Sequence, residues 1–282
     1  MSRSIISVSD FSFIYPETKV FALEKVSFDV TENDFIGIIG CNKAGKSTLC
    51  TALTGIIPYT LGGQWEGTIH VDGNNLEESK GAAASSVIGI VFQDAESQFT
   101  QETVEDEIAF AMCNFGYTRE LMEQRIRQAA ASCGVLPLLG RSPFRLSGGQ
   151  QQRVAIACIL ALQPRVIILD ESTSQLDPIG RDEVFDLVRK LHESGSTVIM
   201  VDHNIEKLAE YAGKIMIMHR GKVVEFDDAK SVFQKKAALD SCNVRIPQVT
   251  EAALRLGICL DDGNAPIELA ESVELFKRAR GR

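Results

Sequence analysis

The residues from Gly40 to Ser47, GCNKAGKS, fit the pattern G-x-x-x-x-G-K-[ST]. They stand between an apolar run, Phe35 to Ile39, and a stretch of helical spacing from Thr48 to Ile57 that Gly55 and Pro58 bring to an end. A strand that runs through such a loop into a helix turns its backbone N–H groups inward and adds the positive end of the helix, which makes a cradle for phosphate oxygens. In that cradle Gly40, Asn42, Lys43, Ala44, Gly45 and Thr48 are candidate phosphate contacts. Lys46 would reach the β- and γ-phosphates, and the Ser47 hydroxyl would ligate magnesium. The plainer alternative is a glycine-containing strand-to-helix turn without a ligand. Lys43 is the unusual member: it either points to solvent or adds a second cation beside the phosphates.

Two further constellations share the chain. Val166 to Leu169 deliver Asp170 and Glu171 to the end of a buried strand, where ligands of open α/β sheets bind. Asp170 suits a carboxylate holding magnesium through its waters, and Glu171 a general base polarising the attacking water. Taken alone, ILDE is also what a strand reaching solvent looks like; behind a phosphate loop it gains meaning. In RLSGGQQQRVAIA, residues 145 to 157, Ser147, Gly148 and Gly149 open a helix, so exposed N–H groups and a hydroxyl converge on a second anion site or simply cap the helix.

The surrounding pattern supplies elements to hold these groups. The first thirty residues alternate apolar and polar around Pro16-Glu17-Thr18, as antiparallel strands joined by a turn do. LGGQWEGTIHVDGNN reads as a glycine-rich loop leading to the strand SVIGIVFQ. Residues 103 to 135 have helical spacing with a break at Gly116 and predict a helical subdomain over about 100–147. Strands RVIILD, STVIMVDH and KIMIMHRGKVV then alternate with helical stretches, which argues a parallel sheet covered on both faces. From about residue 226 three short amphipathic pieces, one introduced by Pro247 and one by Pro266, form a small module, so the expected division is 1–225 and 226–282.

Composition narrows the function classes. The chain has 282 residues, 45% hydrophobic and 24% charged, which suits one large soluble domain plus an appendage. A net charge of -9 offers no general basic surface for a nucleic-acid backbone, so no nucleic-acid partner is expected. Seven scattered cysteines without a CxxC pair read as reduced, mostly packing residues. The start lacks the pattern of a secretory signal, and VAIACILAL at nine residues falls far short of the roughly 20 that span a bilayer. Any membrane role is expected to come through partners.

With these motifs in this order, residues 5 to 225 resemble the nucleotide-binding subunit of an ABC transporter, a P-loop α/β fold with a parallel-sheet core, an antiparallel β subdomain and a helical subdomain. The resemblance implies binding of ATP and Mg2+ and makes further residues candidates. Tyr15 matches the aromatic residue that stacks on adenine, although a core strand tyrosine is the alternative. Gln93 matches the glutamine that contacts magnesium and the attacking water. Leu146 to Gln150 match LSGGQ, Ser174 to Asp177 match the loop that follows the catalytic acid, and His203 matches the switch histidine at the γ-phosphate. Most loops of the family carry glycine in place of Lys43, proline in place of Ser172 and commonly alanine in place of Gln175. Two subunits of this family, identical or different, face head to tail and sandwich each ATP between one phosphate loop and the other's LSGGQ. A single chain is therefore expected to be nearly inactive.

The stretch GIVFQDAESQFTQETVEDEIAF with its second glutamine, Gln98, together with TSQLDPIGRDEVF and the tail, is similar to the energy-coupling factor group of vitamin and transition-metal importers. That similarity implies a membrane scaffold protein that docks near the glutamine loop, a separate substrate-capture membrane protein, and a peripheral place on the cytoplasmic face of the membrane. Binding-protein-dependent importers share the catalytic motifs, and some of them carry a carboxy-terminal extension that is a regulatory domain. A soluble ABC ATPase without transport, or a partner that binds ATP without cleaving it, are the other readings. No sustained heptads lie between Lys46 and Ser147 as a repair-type coiled coil needs, and Glu171 and His203 are both intact.

Overall fold

The computed structural model describes residues 3–280, so residues 1–2 and 281–282 of the two expected domain spans lie outside the described residues. The chain opens with β1 (Ser4–Ile14) and β2 (Leu23–Thr31), which pair antiparallel. The buried strand β3 (Phe35–Ile39) leads through the loop into α1 (Lys46–Leu53), shorter than the Thr48 to Ile57 stretch expected, because the chain turns at Gly55 with φ 75°. Then come β4 (Gln64–Val71), the two-residue β5 (Asn74–Asn75), the single turns α2 (Leu76–Ser79) and α3 (Ala82–Ser85), and β6 (Ile88–Val91). The glycine-rich segment read as a loop therefore contains a strand. Nearly the whole of β4 lies along β1, from Ile14↔Gln64 to Ile6↔Val71, so pairing overrides its glycine.

The helical subdomain is α4 (Val104–Asn114) and α5 (Arg119–Ser132), each started by a threonine whose hydroxyl accepts from the first turn, Thr103 from Asp106 N and Thr118 from Leu121 N. After it follow α6 (Gly148–Leu160), β7 (Val166–Asp170), α7 (Pro178–Glu193), β8 (Thr197–Val201), α8 (Ile205–Tyr211), β9 (Lys214–His219) and β10 (Lys222–Asp228). The segment KIMIMHRGKVV is thus a hairpin and not one strand, since Arg220 and Gly221 both take positive φ, 49° and 79°, as a tight two-residue turn requires. Among the described residues the tail holds four helices instead of three pieces: α9 (Ala229–Gln234), α10 (Lys236–Ser241), α11 (Gln248–Leu256) and α12 (Leu269–Arg280).

The strands form two sheets, β2-β1-β4-β5, all antiparallel, and β10-β9-β3-β8-β7-β6, parallel except for β10. Because side chains alternate across a strand, the parallel sheet feeds two cores. Ile36, Ile38, Ile168, Ile199 and Met216 face the antiparallel sheet and α1, while Phe35, Ile167, Leu169, Met200 and Ile217 face α6, α7 and the helical subdomain. The second core continues without a break into the tail through Val232, Phe233, Leu239, Cys242, Val244 and Ile246. Within the tail, the Gln234 side chain donates to Ala265 O at 2.9 Å and accepts from Ala265 N at 3.0 Å, and buried Thr250 Oγ1 donates to Pro266 O at 2.7 Å.

All seven cysteines are free: Cys50, Cys133 and Cys242 are buried, Cys41 and Cys158 half-buried, and Cys113 and Cys259 exposed. Burial pushes the Cys133 thiol up to about 12, which makes it inert packing. Among the described residues no helix is long and apolar enough to cross a membrane.

Candidate functional site

Strands β3, β7 and β8 are neighbours and run parallel, so their carboxyl ends arrive together and carry the loop, Asp170-Glu171 and Asp202-His203 to one edge. The loop can be tight only because of its glycines. A Cβ on Gly40 would stand 2.3 Å from Met218 O, and one on Gly45, at φ 101°, 2.7 Å from Ala22 O. Lys43 is exposed and takes φ 65°, a left-handed angle that explains why glycine suits this place. Its side chain reaches neither the loop's carbonyls nor a carboxylate within salt-bridge range among the described residues. For the ATP hydrolysis that the resemblance implies, Lys43→Gly is accordingly expected to change turnover by less than about tenfold, or about 1.4 kcal/mol of barrier. Steady-state phosphate release checks this, and a loss of two orders of magnitude would contradict it.

Lys46 is 4% exposed. A buried ammonium needs partners, and it donates to Gly40 O at 3.0 Å and Cys41 O at 3.2 Å and pairs with Glu171 Oε1 at 3.3 Å. The same Glu171 oxygen lies 3.1 Å from His203 Nε2. Glu171 itself holds a left-handed backbone at φ 50°, a strained conformation fixed by its N–H bond to Val201 O at 2.9 Å. Ser47 Oγ donates to Asp170 Oδ1 at 3.1 Å. Burial holds the Asp170 carboxyl above its usual range, with the Glu171 charge adding to it and the Ser47 hydroxyl and Lys46 opposing it. Gln93, exposed two residues beyond β6, donates to Ser174 Oγ at 3.2 Å. The Tyr15 hydroxyl shares a hydrogen bond with Thr48 Oγ1 at 3.2 Å, and its ring meets Phe13 edge-on.

The structure thus gathers Asn42 to Thr48, Gln93 and Glu171 around one cavity of about 350 Å³, with Asp170, His203 and Tyr15 in direct contact with members of that set. Ser147 to Gln150 and Asp177 are not brought there: they line neither this cavity nor the two beside His203. They form a second group. Ser147 caps α6 in a reciprocal box with Gln150, the side chain of Asp177 caps α7 by accepting from Gly180 N at 2.7 Å, and Gly149 packs against Gly180. The two groups share none of these cavities.

Two contributors escape the motif reading. Asp202 is buried, accepts from Thr173 Oγ1 and from Asn204 N at 2.7 Å, and so fixes the turn that presents His203. Its signal was present, an acid at the end of the apolar strand TVIMV, as Asp170 ends VIIL. The other is Cys41, whose thiol touches the tail at Cys242 O. At Ser172 the hydroxyl is buried without a protein partner, and nothing in the structure explains that choice.

The donor set suits a hard divalent cation held by oxygens: a serine hydroxyl beside a desolvated carboxylate whose charge Ser47 and Lys46 only partly offset. Among the described residues no three His, Cys, Asp or Glu side chains converge to hold a metal by themselves. Such a cation would therefore need substrate oxygens and water to complete its shell.

Comparison with known proteins places the chain in a family. Residues 23–174 match the ABC transporter family. An ABC transporter ATP-binding protein of Pyrococcus abyssi is 42% identical over 86% of this chain and 88% of its own. Energy-coupling factor transporter ATP-binding protein EcfA1 of Lacticaseibacillus paracasei is 39% identical over 91% of this chain and 92% of its own. Among solved structures, CbiO1 from Clostridium perfringens, described as part of the ABC transporter complex CbiONQ, superposes with a TM-score of 0.74 at 28% identity, covering 90% of this chain and 99% of that one. With its phosphate loop, paired strand-end acids and LSGGQ helix in the expected frame, the chain belongs to the ABC transporter family.

Proposed function

We propose that this chain is the ATP-hydrolysing subunit of an energy-coupling factor importer that brings in a vitamin or a transition metal ion. The observation that carries the reading is the meeting of Lys46, Glu171 and His203 through one carboxylate oxygen beside the phosphate loop. Relatives named as energy-coupling factor ATP-binding proteins, aligned over most of both chains, support the transporter class.

ATP is the substrate. Its phosphates enter the cradle of Gly40 to Thr48, and Tyr15 offers its ring to the adenine. Lys46 then exchanges Glu171 for phosphate oxygens, because a charge-assisted bond to a polyanion outcompetes a single carboxylate. Freed from the ammonium, Glu171 takes the proton of the attacking water while His203 orients the γ-phosphate. Ser47, Gln93 and Asp170 would hold Mg2+, which supplies charge neutralisation on the phosphate oxygens when bound. Ser147 to Gln150 and Asp177 serve the phosphate loop of a second ATPase subunit, a copy or a related chain, so the site is complete only between two.

In this reading residues 1–225 form the ATPase domain and 226–282 a module that helps hold the pair. The dimer lies on the cytoplasmic face of the membrane, with a membrane scaffold protein docked near Gln93 and a substrate-capture membrane protein beside it. Purification from the native membrane with identification of the co-purified subunits tests this. A scaffold and a capture protein are expected. A soluble or lipid-anchored binding protein with paired permeases would replace the reading by a binding-protein-dependent importer, and recovery with DNA or ribosomes would replace it by a soluble ATPase.

A further inference from the structure

The phosphate loop is gripped from outside the ATPase fold. Helix α10 ends in a left-handed cap: Asn243 takes φ 53°, Asn243 N donates to Asp240 O at 3.0 Å and Val244 N to Leu239 O at 2.9 Å. That cap is rigid, since Leu239, Cys242 and Val244 are buried in the core shared with β3 and β9. The last carbonyls of a helix lack partners within it and need donors from elsewhere. Here the donor is the Cys41 thiol, 3.1 Å from Cys242 O and 3.6 Å from Asn243 O. On its backbone side Cys41 is held by Lys46 Nζ, which donates to Cys41 O at 3.2 Å and pairs with Glu171. Asn243, Val244 and Arg245 share a cavity with Gly40, Asn42 and His203, so the cap stands directly beside the loop.

We propose that the tail segment Cys242–Arg245 is part of the nucleotide site, with Cys41 a positioning residue through which the carboxy-terminal module sets the shape of the phosphate loop. The chain of contacts is short: tail carbonyl, Cys41 thiol, Cys41 carbonyl, Lys46 ammonium. With the thiol bond in place, the loop is ordered before phosphate arrives, and nucleotide binding does not bear that cost. Whatever displaces the cap loosens the loop, so movement of the tail and occupancy of the loop are coupled in both directions. The inference rests on the nucleotide-site reading above.

The test is ADP binding to the purified full-length chain in the presence of Mg2+, by calorimetry, with melting of the nucleotide-free protein alongside. Cys41→Ala is expected to weaken ADP about threefold to tenfold, the range for one lost hydrogen bond, with little change in the melting midpoint because Cys41 is half-buried. Cys41→Ser, which keeps a donor, is expected to bind within about twofold of the unaltered chain. Wild-type affinity in Cys41→Ala, or a serine variant as weak as the alanine variant, would overturn the proposal. A Lys46→Ala arm separates the two levels: if it binds ADP as well as the unaltered chain does, the nucleotide site itself has been misplaced.

Discussion

Glu171→Gln is expected to lower ATP turnover by about 10²- to 10⁴-fold, the usual range for loss of a general base, while leaving ATP binding intact. Glutamine keeps the size and one acceptor oxygen of the side chain that now faces Lys46 and His203, so the loop has no reason to collapse. It cannot take a proton from water. It also removes the negative charge that competes with phosphate for Lys46, which favours the nucleotide-loaded state. The variant should therefore accumulate as an ATP-bound dimer, visible by size-exclusion chromatography with bound nucleotide quantified. Near-normal steady-state hydrolysis would remove Glu171 from its role.

The second large effect concerns the proposal that the phosphate loop of one chain and the LSGGQ helix of another complete one site. Lys46→Ala removes the buried ammonium that reaches the phosphates, and Ser147→Arg fills the helix start of the second half with a long cation; each alone is expected to cost about 10²-fold or more in hydrolysis, as loss of a charge-assisted contact of about 3 kcal/mol implies. Mixed, the two inactive proteins should recover activity. In a mixed dimer one intact phosphate loop faces one intact LSGGQ helix, so random pairing restores about a quarter of the full rate by mass action. If the natural partner is a related chain, the two changes are divided between the chains. Absence of recovery despite mixed dimers would mean that each chain closes its own site.

How much of this could be read from the residues follows from how far apart the interacting groups lie in sequence. The phosphate loop, the acids ending β7 and the LSGGQ helix are local patterns, and each stands where its flanking apolar run predicts. Strand β4 was hidden because Gly62, Gly63 and Gly67 look like loop residues, and only the presence of β1 as a partner makes Gln64–Val71 extended. The β9–β10 hairpin was concealed because Arg220-Gly221 is a weaker turn signature than Asn-Gly. The Lys46–Glu171–His203 junction joins three strand ends, and its members were legible singly but not their shared oxygen. The contact of Cys41 with Cys242 spans 201 residues and obeys no periodicity, so nothing short of the folded chain discloses it.

Where the second half of the site comes from is decided most directly by a structure of the Glu171→Gln variant loaded with ATP and Mg2+. It should show Ser147 Oγ of the opposite protomer within hydrogen-bonding distance, about 2.5–3.0 Å, of a γ-phosphate oxygen held by Lys46. A loaded dimer in which that serine faces solvent, with the γ-phosphate closed over by its own chain, would contradict it.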